Sequence, residues 1–279
     1  MRSNTWWSLV SLITLVACSG SPEPAPAEPP APVAAETPEL GDQDPAQLAA
    51  QADRKYALVP SPVETEAALA KAGIDGKLGG LITARAWKLD EKDTERVAVR
   101  TGVILADTLL TLKTAKDEEV VAHLEELRQG MTTLKGGDDV DKTLVDIITR
   151  VKAGAVTRDE LLKEFDQLAG AVIPELEFNG VSRVVPLVQA GSWLEAANLV
   201  AKAAKGNAAS VSDILKQPDV VSYFAEFSKQ RDPSTPAPVG AVLDTTLASL
   251  TAISTKTEPL TDADLDAITQ AAEAVLVLL

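Results

Sequence analysis

The chain has one cysteine and one histidine in 279 residues, and aromatic side chains make up only 4% of it. Each scarcity closes a class of function. A lone cysteine forms no intrachain disulfide and no thiolate metal cluster. A lone histidine, His123, excludes sites built on several imidazoles. A Ser-His-Asp relay would have to use that one residue, which stands between Val121 and Leu124, and no Gly-x-Ser-x-Gly elbow is present. P-loop and dinucleotide fingerprints are missing as well, since the glycines at 73, 76, 79 and 80 follow no strand. An excess of positive charge is also lacking. The net charge of −15 repels nucleic acid and anionic lipid headgroups and argues against either as a direct partner.

What is present begins at the N-terminus. Arg2 precedes an uncharged run from Trp6 to Ala17, followed by small residues. About 12 apolar residues are too few to span roughly 30 Å of hydrocarbon but suit the core of a secretory signal. Leu15-Val16-Ala17-Cys18 resembles the lipobox of bacterial lipoproteins, in which the cysteine becomes the acylated first residue. The resemblance implies a signal over 1–17, lipidation at Cys18 and membrane attachment through the acyl chains. Each buried methylene of such a chain contributes about 0.8 kcal/mol. Ser19 stands where some Gram-negative lipoproteins carry an Asp that retains them in the inner membrane. By that analogy the address is the outer membrane, with the folded part facing the periplasm or the cell surface.

Residues 18–45 hold the lipidated Cys18 and a tether that reads from Ser21 to Pro45. Prolines at 22, 24, 26, 29, 30, 32, 38 and 45 alternate with Ala and Glu and show no apolar periodicity. Such a segment is either extended polyproline II, at about 3.1 Å per residue and a reach of roughly 75 Å, or a plain disordered spacer.

From residue 46 to 279 the sequence predicts an all-α domain, an irregular bundle of about nine helices. Abundant Ala, Leu and Val favour packed helices over β-sandwiches. Asp44-Pro45 opens a short helix to about Lys55, and Tyr56 to Pro62 is extended because of its two prolines. Helices are then expected over 63–72, from a cap at Asp90 to about Thr114, over 116–134 and over 138–153. Thr157-Arg-Asp-Glu160 is a capping box for the next, with Pro174 near its end. Val181 to Ala204 is the most apolar stretch and reads as the central helix, with Pro186 and Gly191 expected to kink or break it. Helices over 211–230 (divided at Pro218), 237–255 and 261–279 complete the set. A division of the domain near residue 155 is possible but unforced.

Three segments, Tyr56-Ala-Leu-Val-Pro-Ser-Pro-Val-Glu64, Gly102-Val-Ile-Leu-Ala-Asp107 and Ala190-Gly-Ser-Trp-Leu-Glu195, occur in that order. Together they resemble an uncharacterised family of all-helical bacterial lipoproteins represented in Bacteroidetes. The resemblance spans roughly residues 56–279 and implies the architecture and the anchor, but no activity. The Pro/Ala-rich tether departs from that family's pattern.

Candidate sites are few. Asp262-Ala-Asp264-Leu-Asp266 with Glu273 imitates the spacing of a calcium loop, but Ala267 stands where the turn needs Gly and helical periodicity runs straight through. Neither metal nor cofactor is expected. Asp107 lies in an otherwise apolar helix and is a site candidate if buried with a raised pKa. Trp193 reads as core, while Tyr223, Phe224 and Phe227 are either core or a binding anchor. The leading functional reading is non-enzymatic: a tethered domain that binds or scaffolds another envelope protein. The alternative is a carrier that holds an apolar small ligand between helices near 181–204. A hydrolase acting through carboxylates alone comes third and requires a cleft with two carboxylates about 5–10 Å apart.

Overall fold

The computed structural model describes residues 59–279 apart from Ser234. The signal, Cys18, the tether and the short helix read over 45–55 lie outside the described residues. Among the described residues there are ten α-helices and no strand. They are α1 (Pro62–Ala72), α2 (Thr94–Thr111), α3 (Asp117–Thr133), α4 (Asp138–Lys152), α5 (Arg158–Phe178), α6 (Val185–Ala203), α7 (Ser212–Leu215), α8 (Pro218–Lys229), α9 (Ala237–Ser254) and α10 (Asp262–Leu276).

Local chemistry explains most boundaries. Ser61 caps α1 in a reciprocal box with Glu64, and Gly73 closes it in the left-handed conformation at φ 69°. Thr157 and Glu160 exchange backbone hydrogen bonds of 2.8 and 3.3 Å at the start of α5. Thr261 and Asp264 form a like pair on α10. Caps of this kind each contribute about 1 kcal/mol.

The start of α2 differs from expectation: Asp93, not Asp90, accepts the hydrogen bond of the Arg96 amide at 3.1 Å and begins the helix. Pro174 lies near the end of α5, which closes at Phe178, as expected. One interruption is corrected. After a 3₁₀ turn over Ser182–Val184, α6 is unbroken from Val185 to Ala203. Pro186 occupies its first turn, where no backbone donor is required. Gly191 does not break the helix; it serves packing against the Val99 backbone.

The central pair is α2 and α6. α3 packs on α2, α4 on α3, and α5 on α4 and α1. On the other side α10 packs on α6, α9 on α10 and α8 on α9. Two apolar clusters result. One, including Leu124, Leu144, Phe165 and Leu176, fills the α2–α5 side. The other, including Leu199, Phe224, Ile268 and Leu276, fills the α6–α10 side. α2 and α6 contribute to both, which is why each is apolar around most of its circumference. The threonines of α2 remain compatible with burial. Thr101, Thr108 and Thr111 donate to the carbonyl four residues back at 2.7–2.8 Å.

α9 is the one helix among the described residues long and apolar enough to cross a membrane by length and composition. It packs on α8 and α10, burying Gly240, Thr246, Leu250 and Ile253 along one side.

Candidate functional site

At the α2/α6 crossing two of the sequence segments singled out above meet. A Cβ on Gly102 would stand 2.0 Å from the carbonyl oxygen of Val188, and one on Gly191 would stand 2.1 Å from that of Val99. Only glycine permits such an approach, so the two backbones lie in direct contact. The carboxyls at the ends of the same segments, Asp107 and Glu195, are brought together by it.

Asp107 is 5% exposed and Glu195 fully buried. Arg85, from the irregular segment before α2, donates from Nη1 to Glu195 Oε1 at 2.9 Å and from Nη2 to Oε2 at 3.2 Å. Asp107 hydrogen-bonds Glu195 side chain to side chain. Burial first, and then the charge of Glu195, push the Asp107 carboxyl from its ordinary 3.8 up to about 8, against the lowering pull of Arg85. Asp107 therefore holds a proton at neutral pH and donates it to Glu195. Asn198 lies beside them, its Nδ2 3.5 Å from Glu195 Oε2. Arg85 in turn stacks on Trp87, 5.5 Å from the ring centre, and Arg100 lies 6.0 Å from the same ring.

This cluster is the raised-pKa carboxyl that the sequence singled out at Asp107. Its partners were harder to see. Arg85 sits in a segment without periodicity. Glu195 offered the same signal as Asp107, an isolated acid in the most apolar stretch of the chain. The two carboxyls bond each other in the interior and neither lines the cavity described next, so they do not form the open acid pair that glycoside cleavage requires.

That cavity, of about 740 Å³, lies between α5 and the α2/α6 pair and reaches the α1 and α7 segments. One wall is the α5 stripe Phe165, Leu168, Val172 and Leu176, at helical spacing. The other is Leu105 and Leu109 of α2 with Ser192 and Ala196 of α6, all four half-exposed because they face the void. Trp193 closes one side, with its indole N–H donated to Gln217 Oε1 at 2.8 Å. The void exists because α5 rests chiefly on α1, α4 and the 182–184 turn rather than on the central pair.

The aromatic residues of α8 form a ladder from the core outward. Phe224 is buried, tilted against Trp193 at 6.2 Å, and Tyr223 meets it edge-on at 5.6 Å. Tyr223 and Phe227 are half-buried and stacked at 6.5 Å, with Arg183 over the Phe227 ring. His123 is half-buried on α3, and burial lowers the pKa of its imidazole. The calcium-like acids lie in or at the start of α10, already engaged. Asp262 accepts from the Gly206 amide at 3.0 Å, while Asp266 and Glu273 pair with Lys205 and Lys202 at 2.5 and 2.8 Å. Asp264 caps Thr261 and pairs with Lys256.

No family model, curated protein or solved structure matches this chain.

Proposed function

We propose that this protein is an outer-membrane lipoprotein, anchored at Cys18, whose helical domain holds an elongated apolar ligand between α5 and the α2/α6 pair. The observation that carries the binding reading is the cavity. Its volume of about 740 Å³ falls within the roughly 300–1,000 Å³ of small-molecule pockets, and its walls are mainly Leu, Val, Ala and Phe side chains. This favours the carrier over the scaffold, which the sequence alone had ranked first. The lipobox-like segment supports the anchor, and the motif resemblance to helical lipoproteins agrees with it.

Two experiments test the two halves separately. Native mass spectrometry of the protein, purified without organic solvent, is expected to show a reproducible added mass of a few hundred daltons. Leu109→Trp, which fills the void from α2, is expected to lose it while keeping a wild-type circular dichroism spectrum. A bare wild-type mass that also fails to bind an apolar fluorescent probe would refute the carrier. Cys18→Ala is expected to move the protein from the membrane pellet to the soluble fraction. A variant that still pellets after a high-salt wash would refute the anchor.

A further inference from the structure

The cavity is mainly apolar, and among the described residues its charged lining is predominantly acidic. Among the described residues Glu64, Glu66, Asp75, Asp166 and Asp213 face or rim it, against the single cation Lys113. Lys113 is already engaged, 2.5 Å from Glu66 Oε1 and 3.9 Å from Asp159. Asp75 and Asp213 are exposed to solvent at the rim, and Glu64 is occupied in capping α1 through the Ser61 amide at 2.9 Å. Asp166 is different. It follows Phe165 on the cavity wall of α5 and is half-buried, with its Oδ1 alone shut away from solvent and no donor reaching that oxygen among the described residues. A buried carboxylate oxygen without a donor is costly, and a ligand that brings a donor relieves that cost.

Resting on the carrier reading, we infer that the cavity selects an amphiphile whose polar end carries hydrogen-bond donors and no negative charge, a long-chain ammonium ion above a neutral alcohol, with Asp166 as its acceptor. An anionic headgroup such as a fatty-acid carboxylate would enter beside like charges, with no free cation among the described lining residues to meet it, and is disfavoured. The apolar walls take the chain irrespective of headgroup. Chain length therefore governs whether binding occurs, and the acidic lining governs which chain is preferred.

The test is displacement of a bound apolar fluorescent probe at pH 7 from the full folded domain. Dodecylamine, dodecanol and dodecanoate are compared below their micellar concentrations. Dodecylamine is expected to bind about tenfold more tightly than dodecanoate, with dodecanol between, an order of preference that one partly screened charge contact supplies. Asp166→Asn, close in shape, is expected to shrink the amine-over-alcohol preference. Equal affinities, or dodecanoate as the tightest binder, would overturn this inference and leave the cavity reading standing. Displacement by none of the three would overturn the cavity reading itself. An unchanged amine preference in Asp166→Asn would overturn the assignment of Asp166.

Discussion

Replacing Asp107 by Asn tests the buried acid pair through its pH dependence. The amide has nearly the shape of the protonated carboxyl and donates to Glu195 in the same way, but it does not titrate. The sign follows from linkage. Below about pH 4 the carboxyl is protonated in both folded and unfolded chains, and it contributes nothing to the slope. Between 3.8 and about 8 only the folded chain keeps the proton, so each rise in pH weakens the fold. Above about 8 both forms are ionised and the loss is complete. The cost is about 1.4 kcal/mol per pH unit, which over that window sets a ceiling of about 6 kcal/mol.

Urea unfolding of wild type and Asp107→Asn at pH 5, 6, 7 and 8 reads this directly. The stability advantage of the amide is expected to grow by about 1.4 kcal/mol per unit from pH 5 to 7, and by less toward pH 8, where the folded carboxyl itself begins to ionise. Taking the difference between the two proteins cancels groups common to both. These include His123, lowered by its own burial. A difference that stays flat with pH would show that Asp107 titrates normally and that the burial argument is wrong.

Gly102→Ala places a methyl 2.0 Å from the Val188 carbonyl and is expected to cost about 3 kcal/mol, whereas Gly76→Ala meets nothing within 4 Å and is expected to be near neutral. Chemical denaturation of the two side by side checks this, and equal effects would refute the backbone-contact reading of the crossing. Arg85→Ala leaves the fully buried Glu195 without its cation and is expected to cost about 3 kcal/mol. Adding Glu195→Gln to Arg85→Ala is expected to recover part of the loss. A double variant no better than the single would show that the ion pair is not what Arg85 contributes.

Much of this fold was legible because its signals are local. The boxes at Thr157 and Thr261, the stop at Gly73 and the apolar stripes each involve residues within one or two turns of each other. The errors came where tertiary packing sets the meaning of a residue. Gly191 reads as a breaker in sequence, yet the neighbouring backbone of Val99 gives it a packing role, and nothing within α6 reveals that neighbour. At the site, composition identified Asp107 as anomalous, but its pairing with Glu195 and Arg85 depends on how three distant segments converge. The cavity was least visible of all. Leu105 and Leu109 look like ordinary core residues, and only the position of α5 leaves a void in front of them.

Two separate cores in one chain ordinarily melt as two events. Here both are laid against the same two helices, which are locked backbone to backbone at Gly102 and Gly191. Losing either cluster strips one flank from the shared pair and exposes the support of the other. The folded domain is therefore expected to behave as one cooperative unit, with a single transition for both halves and the slowest amide exchange along α2 and α6.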